Sequence, residues 1–258
     1  MGIFMMVTMV MLIAAVALAF YMLREAFADR VMTETFVFPD FPSSFGDVTI
    51  FFITDIHRRK VSASIIEHAK GLADIVLIGG DLAEKGVHFS RVEENIKKLK
   101  EIAPVYFVWG NNDYELDPHE MDALLLSLGV KILDNTAVKF ESAAGDAFAL
   151  LGVDDLTAGR CQLEYALEDA GNVPFRILAC HNPGISSSIE EGSGIRLILS
   201  GHTHGGQIRI FNYGPYEKGG LKEAGPVSCF VSNGYGTTLI PLRLGAKAET
   251  HLITLKHG

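Results

Sequence analysis

Residues 47–57 read DVTIFFITDIH, and this stretch decides the fold. Its first eight residues form a short apolar run rich in aromatic and β-branched side chains, the signature of a strand buried on both faces. The run delivers Asp55 and His57 at its carboxyl end. The same pattern recurs downstream. DIVLI (74–78) runs into Gly79-Gly80-Asp81, and PVYFVW (104–109) into Gly110-Asn111-Asn112-Asp113. The run at 175–180 ends on His181, and that at 196–200 leads into Gly201-His202-Thr203-His204-Gly205-Gly206. Five strand ends thus carry metal-capable side chains, and ligand sites of α/β sheets collect at the carboxyl ends of strands.

Helical patterns separate these strands. Ser64-Ile65-Ile66-Glu67 has the form of a capping box opening a helix that ends near Gly71. Ser90-Arg91-Val92-Glu93 begins a second helix, with Val92, Ile96, Leu99 and Ile102 at helical spacing. Asp117-Pro118-His119-Glu120 begins a third, with Asp as cap and Pro in the first turn; Met121, Leu124, Leu125 and Leu128 form its apolar face. Further strands are expected at 130–133, 137–141, 148–153, 227–232 and 250–255, with the Gly-rich stretch 213–225 as a surface loop. Alternating strands and helices imply an α/β fold. The excess of strands over helices predicts two packed mixed sheets flanked by helices, a four-layer α-β-β-α sandwich over 47–258.

The chain of 258 residues has room for one such domain and an appendage. Hydrophobic residues at 48% against 21% charged provide a core and exclude disorder. A formal net charge of −9 argues against nucleic acid as a partner, because that role needs a basic footprint. It does not argue against a phosphorylated small molecule, since metal ions supply positive charge locally. Cys161, Cys180 and Cys229 form no CxxC, so neither a zinc knuckle nor a disulfide framework is expected; free thiols fit a reducing compartment.

The appendage is N-terminal. Gly2 to Leu23 contains no charged residue, and as a helix it would span roughly 33 Å, enough for a bilayer core. The competing reading is a cleaved signal peptide, for which Ala26-Phe27-Ala28 offers a small-x-small site. The length of the run and the lack of a preceding Lys or Arg favour an uncleaved single-pass anchor at 1–24. Arg24 and Arg30 follow the span, which places the catalytic domain on the cytoplasmic side. Residues 25–46, with Pro39, Pro42, Ser43, Ser44 and Gly46, read as a linker.

The strand ends assemble a ligand set of Asp55, His57, Asp81, Asn111, His181, His202 and His204. Carboxylate, amide oxygen and imidazole together suit Mn, Fe or Zn better than Ca or Mg. Seven ligands exceed the needs of one such ion, so two ions about 3.5–4 Å apart with a shared carboxylate are expected. Without a cation, such a buried polar cluster would be costly.

The motifs D-x-H (Asp55, His57), G-D (Gly80, Asp81), G-N-N-D (Gly110 to Asp113), a lone His181 and G-H-T-H (Gly201 to His204) resemble the calcineurin-like metallophosphoesterase family over about residues 47 to 255. Ser232-Asn233-Gly234-Tyr235-Gly236 to Pro241-Leu242-Arg243 is similar to the membrane-associated bacterial branch that includes UDP-diacylglucosamine hydrolases. The resemblance implies that Asp55, His57 and His204 hold one metal and Asn111, His181 and His202 the other, with Asp81 bridging. It implies a two-metal phosphohydrolase, with Mn the first choice of metal, in which a bridging hydroxide attacks phosphorus.

One position departs from the family. Its G-N-H-[DE] motif has His third, where this chain has Asn112. By the resemblance that His protonates the leaving group; Asn cannot act as a general acid at neutral pH. Asn112 therefore favours phosphodiester or pyrophosphate substrates whose leaving groups need little protonation, a lipid-linked sugar nucleotide among them. It also motivates the alternative of a membrane-tethered metal-binding scaffold with little turnover. Arg58, Arg59 and Lys60 read as a basic turn or a phosphate contact, Arg243 as an ion-pair or substrate residue, and Asp113 as a support behind the ligands. His68, His88, His119, His251 and His257 read as surface or packing residues, and Asp154 and Asp155 follow a strand with no adjoining His.

Overall fold

The computed structural model of the chain describes residues 2–211, 213–224 and 227–258, so Met1 of the expected anchor and Gly225 of the expected loop lie outside it. In chain order the elements are α1 (Gly2–Ala26), β1 (Val31–Phe38), β2 (Val48–Ile53), α2 (Ala63–Ala69), β3 (Ile75–Ile78), α3 (Phe89–Leu99), β4 (Val105–Phe107), α4 (Pro118–Ser127) and β5 (Lys131–Ile132). They continue with β6 (Thr136–Glu141), β7 (Ala147–Gly152), α5 (Leu163–Ala170), β8 (Phe175–Ala179), β9 (Ile195–Ser200), β10 (Gly220–Ala224), β11 (Val227–Val231) and β12 (Thr250–His257).

Two mixed six-stranded sheets result, ordered β1-β12-β2-β3-β4-β5 and β10-β11-β9-β8-β7-β6. Within β2, period-two alternation sorts the apolar run between two cores. Ile50 and Phe52 face the gap between the sheets, where they meet Phe41, Phe148, Phe175 and Leu199. Phe51 and Ile53 face outward, onto the helical layer that contributes Ile65, Val92, Ile96 and Leu125. The second sheet repeats this, with Leu151, Leu178 and Ile198 packed beneath Ala166 and Ala170 of α5. Strands buried on both faces cannot show polar alternation, which is why the sequence reads as unbroken apolar runs. The architecture is the four-layer α-β-β-α sandwich.

Four local expectations are corrected. Residues 31–38 form no linker: β1 pairs in parallel with β12, Val31 opposite Thr250 through Phe38 opposite His257. VMTETFVF alternates, and Phe36 enters the inter-sheet core. Part of the expected loop 213–225 is the edge strand β10, paired antiparallel with β11. The cap of α2 is Ser62, whose hydroxyl accepts from the Ile65 amide, while Ser64 Oγ donates to Asp29. The second helix starts one residue early, at Phe89 after His88.

The helix α1 is a 25-residue exposed rod, long and apolar enough to cross a membrane. Its end is fastened to the domain. Arg59, buried, donates to the carbonyls of Ala26, Phe27, Ala28 and Tyr235 and pairs with Asp29 at 2.8 Å. Its guanidinium lies 3.6 Å from the Tyr235 ring centroid. Arg59 is thus the latch of the anchor, and neither a solvated turn nor a phosphate contact.

Candidate metal centre

All seven expected ligands come from turns that follow strands. Asp55 and His57 follow β2, Asp81 follows β3, Asn111 follows β4, His181 follows β8, and His202 and His204 follow β9. The turns hold one another. Asp55 N donates to Gly80 O at 3.0 Å, His57 N to Asp81 O at 3.1 Å, and Gly201 N to His181 O at 3.0 Å. Two glycines are required by close approach. A Cβ on Gly110 would lie 2.3 Å from Asp81 Oδ1, and one on Gly201 would lie 2.4 Å from Asp55 Oδ2. Five of the nine non-glycine residues with positive φ among the described residues are Asp55, His57, Asp81, His202 and His204. Left-handed backbone at such residues is disfavoured, so its concentration here marks a site held against local preference.

The donor atoms converge. His57 Nε2 stands 3.1 Å from His204 Nε2, and Asp55 Oδ1 stands 3.3 Å from His204 Nε2. Asp81 Oδ2 lies 3.3 Å from His181 Nε2 and 3.7 Å from His57 Nε2. His202 Nδ1 lies 2.9 Å from Asn111 Oδ1. Two clusters emerge, Asp55-His57-His204 and Asp55-Asp81-His181, so Asp55 adjoins both.

These residues fit divalent cations. His181 Nε2 is buried and, though 3.3 Å from Asp81 Oδ2, makes no well-formed hydrogen bond, while its Nδ1 is satisfied by Gly79 O at 2.8 Å. Burial lowers the basicity of His181, but Asp81 and Asp55 outweigh it and lift its pKa to about 10. Burial likewise opposes the charge on Asp81, yet His181 and His57 hold it well below the usual carboxylate range. The pocket therefore demands a counter-charge, which a divalent ion supplies in place of a proton. Burial, with His57 and Arg243 beside it, keeps His204 neutral at about 4, as metal ligation requires.

Supporting residues surround the expected ligands. His57 Nδ1 faces Glu84 Oε2 at 3.0 Å, an arrangement that orients a ligating imidazole. Glu84 was not among the residues singled out from sequence; its only signal is a carboxylate three places after Asp81. Asp113 accepts from the amides of Ala83 and Gly110, both at 2.9 Å, and burial with the nearby Asp81 charge pushes it up to about 7. Asp155 is also buried near the site. Burial raises its pKa while the charges of His181 and His202 pull it down, and its Oδ1 has no partner.

Among the described residues Arg243 makes no ion pair with a carboxylate. Fully buried, its guanidinium donates to the carbonyls of Asn233, Gly234, Gly236 and Ala246 and stands 3.2 Å from His204 Nδ1. Its own backbone N donates to Met22 O of α1 at 3.0 Å. Arg58 is exposed and paired with Glu84, and Lys60 pairs with Glu94 at 2.8 Å. His119 lies apart, beside Trp109, Tyr114 and Arg160. His251 is a buried packing residue between the rings of Phe52 and Phe230.

A cleft of about 320 Å³ opens over the site, lined by Asp81, Asn111, Asn112, His202, Tyr216 and Leu239 among others. The Asn112 amide N donates to Asp81 Oδ1 at 2.8 Å, and its side-chain oxygen accepts from Asn111 Nδ2 at 2.8 Å. Two divalent ions held by these residues would supply activation of water and stabilisation of the charge that builds on a phosphoryl group.

Two sheets that converge carboxylates and imidazoles on one such cleft define a class: hydrolases that hold divalent ions in a dinuclear site. The chain belongs to the calcineurin-like phosphoesterase family, whose profile matches residues 48–206. It is a metal-dependent phosphoesterase. YpbG of Bacillus subtilis is 44% identical, over 95% of this chain and 95% of that protein. The phosphodiesterase YaeI of Escherichia coli is 33% identical, over 80% of this chain and 81% of its own. A transmembrane protein with a metallophosphoesterase domain from Bos taurus is 32% identical over 82% of this chain, which spans 54% of that protein. With α1, this relative points to a single-pass membrane protein. The NAD nucleotidase NadN of Haemophilus influenzae shares the fold, with a TM-score of 0.54 at 15% identity over 74% of this chain and 46% of its own.

Proposed function

We propose that the protein is a membrane-tethered phosphohydrolase that uses two Mn ions to cleave a phosphodiester or pyrophosphate bond of an amphiphilic substrate, such as a lipid-linked sugar nucleotide of the UDP-diacylglucosamine type. Asp55, His57 and His204 hold one ion, Asn111, His181 and His202 the other, and Asp81 bridges. The catalytic domain lies on the cytoplasmic face, as Arg24 and Arg30 after the span favour. One observation carries the reading: Arg243 joins the anchor to the metal centre. Its backbone holds Met22 O, and its guanidinium reaches His204. One arginine side chain, about 7 Å long by standard bond lengths, thus separates the end of the span from a metal ligand. A site so close to the bilayer suits a substrate that resides there.

Asn112 supports the choice of bond. Lining the cleft with an amide, it offers no proton to a basic alkoxide, whereas a departing phosphate needs none. The same residue motivates the second reading, a metal-binding scaffold with little turnover. Purified full-length protein in lipid vesicles, loaded with Mn and given monoester, diester and pyrophosphate substrates with and without acyl chains, separates the two. Preferential turnover of the acylated pyrophosphate supports the proposal. Turnover of no substrate supports the scaffold.

A further inference from the structure

Two loops flank the mouth of the cleft, and their tips are apolar. Leu239 is 96% exposed, Ile240 48%, and Phe211 93%. Ile210 and Tyr213 are exposed beside Phe211. The loops are zipped together by Gln207, whose Nε2 donates to Thr238 O at 3.1 Å and Ile240 O at 3.0 Å and whose Oε1 accepts from Thr238 N at 3.0 Å. Backbone bonds from Leu244 N to Gln207 O at 2.9 Å and from Arg209 N to Leu244 O at 2.7 Å continue the zip. Single exposed apolar residues are ordinary; two exposed apolar tips on loops hydrogen-bonded to each other beside a cleft are not. Leu239 and Phe211 also adopt left-handed backbone, at φ 61° and 56°. Strain of that kind persists only when the surroundings impose it. Here it presents two large apolar side chains to solvent, with no packing inside the domain to offset it.

The position of α1 indicates what covers them. The uncharged run ends at Leu23, and at roughly 33 Å it has little length to spare over a hydrocarbon core of ~30 Å. Met22 therefore sits at the edge of the hydrocarbon. The Met22 carbonyl accepts from Arg243 N, so the 237–243 loop is fixed at that level. Phe27, just past α1, lines one groove with Leu239, Ile240 and Pro241. Leu239 also lines the metal cleft, together with Asp81 and His202. The apolar tip at 239–240 thus adjoins the end of the anchor on one side and the site on the other.

We propose that the loop tips carrying Ile210, Phe211 and Tyr213 and carrying Leu239 and Ile240 insert into the leaflet adjoining the end of α1, forming a second, interfacial membrane contact that seats the cleft mouth on the bilayer. An acyl-bearing phosphate ester can then pass its headgroup to the metal centre while its chains stay in the leaflet against Leu239. The inference rests on the membrane-anchor reading above and adds to it a contact that α1 alone does not require.

The test uses the full chain in phosphatidylcholine–phosphatidylglycerol vesicles. The sequence has one Trp, buried Trp109, which gives a constant background. In Leu239→Trp, vesicles with dibrominated acyl chains should quench the added fluorescence about twofold or more, as expected for a side chain ~5–10 Å into the interface. Tyr165→Trp, on α5 against the second sheet, should stay unquenched. Ile240→Trp repeats the test if the first variant folds poorly. Flotation of the protein with an unquenched Trp at both loop positions overturns the inference and leaves the anchor standing; a blue-shifted, unquenched Trp would indicate a second copy of the chain over the patch instead. Failure to float overturns the anchor and the inference together.

Discussion

Asn112→His should restore a proton donor to the cleft and change which esters are cleaved. The substitution leaves the backbone bond from residue 112 to Asp81 Oδ1 in place, so the loop that presents Asn111 keeps its register. It removes the 2.8 Å bond from Asn111 Nδ2, while Asn111 Oδ1 keeps its 2.9 Å contact with His202. A neutral hydrogen bond at this half-exposed position contributes about 0.5–1.5 kcal/mol. Against this, Glu115 Oε1 lies 3.4 Å from Asn112 Nδ2, and the longer imidazole would reach it, gaining a carboxylate that favours the protonated ring. General acid catalysis contributes ~10²–10⁴-fold, and an unoptimised donor belongs at the lower end. A ~10²-fold gain corresponds to about 2.7 kcal/mol of barrier, more than the lost bond can cancel. Turnover of an alkyl phosphodiester should therefore rise by about two orders of magnitude, and that of a nitrophenyl diester by less than about threefold. The comparison is of kcat for Mn-loaded wild type and variant on both substrates at neutral pH. Equal changes on both would refute the argument and direct attention to Asp155, the buried carboxyl with an unpartnered oxygen; His119 lies in a separate pocket and is no substitute.

Three further outcomes follow from the site and the core. Elemental analysis at Mn saturation should find two ions per chain, and chelation should lower the melting temperature; one ion or none would remove the dinuclear assignment. Glu84→Gln, which weakens the support behind His57 Nδ1, should reduce metal affinity by about 10–100-fold in calorimetric titration, and an unchanged affinity would mean that Glu84 serves only its pair with Arg58. His251, held neutral by burial with a pKa near 3 against 6.5 in the unfolded chain, should cost stability in acid. Between those values the unfolded state binds the extra proton, so stability present above pH 6.5 is lost as pH falls, by roughly 1.4 kcal/mol at one unit below. His251→Leu should flatten that slope in denaturant titrations at pH 5.5 and 7.5, and a slope equal to wild type would place the acid sensitivity elsewhere.

What the sequence makes legible follows from where the information lies. The central strands are apolar on both faces because both faces are buried, and each runs directly into a turn that carries a carboxylate or an imidazole, so β2, β3, β8 and β9 can be read one at a time. The edge strands cannot. β1 is a strand because Val31 to Phe38 meets Thr250 to His257, more than two hundred residues away, and Pro39 and Pro42 nearby dominate a local reading. β10 is specified by backbone pairing with β11, which Gly220-Leu221-Lys222-Glu223-Ala224 does not announce by composition.

The same distinction separates the two kinds of functional residue. Ligands advertise themselves, because a metal selects carboxylate, amide and imidazole, and those types at strand ends are few. Arg59 and Arg243 do not, because their partners are mostly main-chain carbonyls, which every residue carries. Yet these two arginines relate the anchor to the chemistry: one holds the chain past α1 against Tyr235, and the other ties Met22 to His204. A buried guanidinium is costly unless its donors are satisfied, and several carbonyls converge on each. Each cage therefore fixes its loop firmly. The orientation of the cleft relative to the end of α1 is set by these contacts, and a flexible tether between anchor and domain would not hold it.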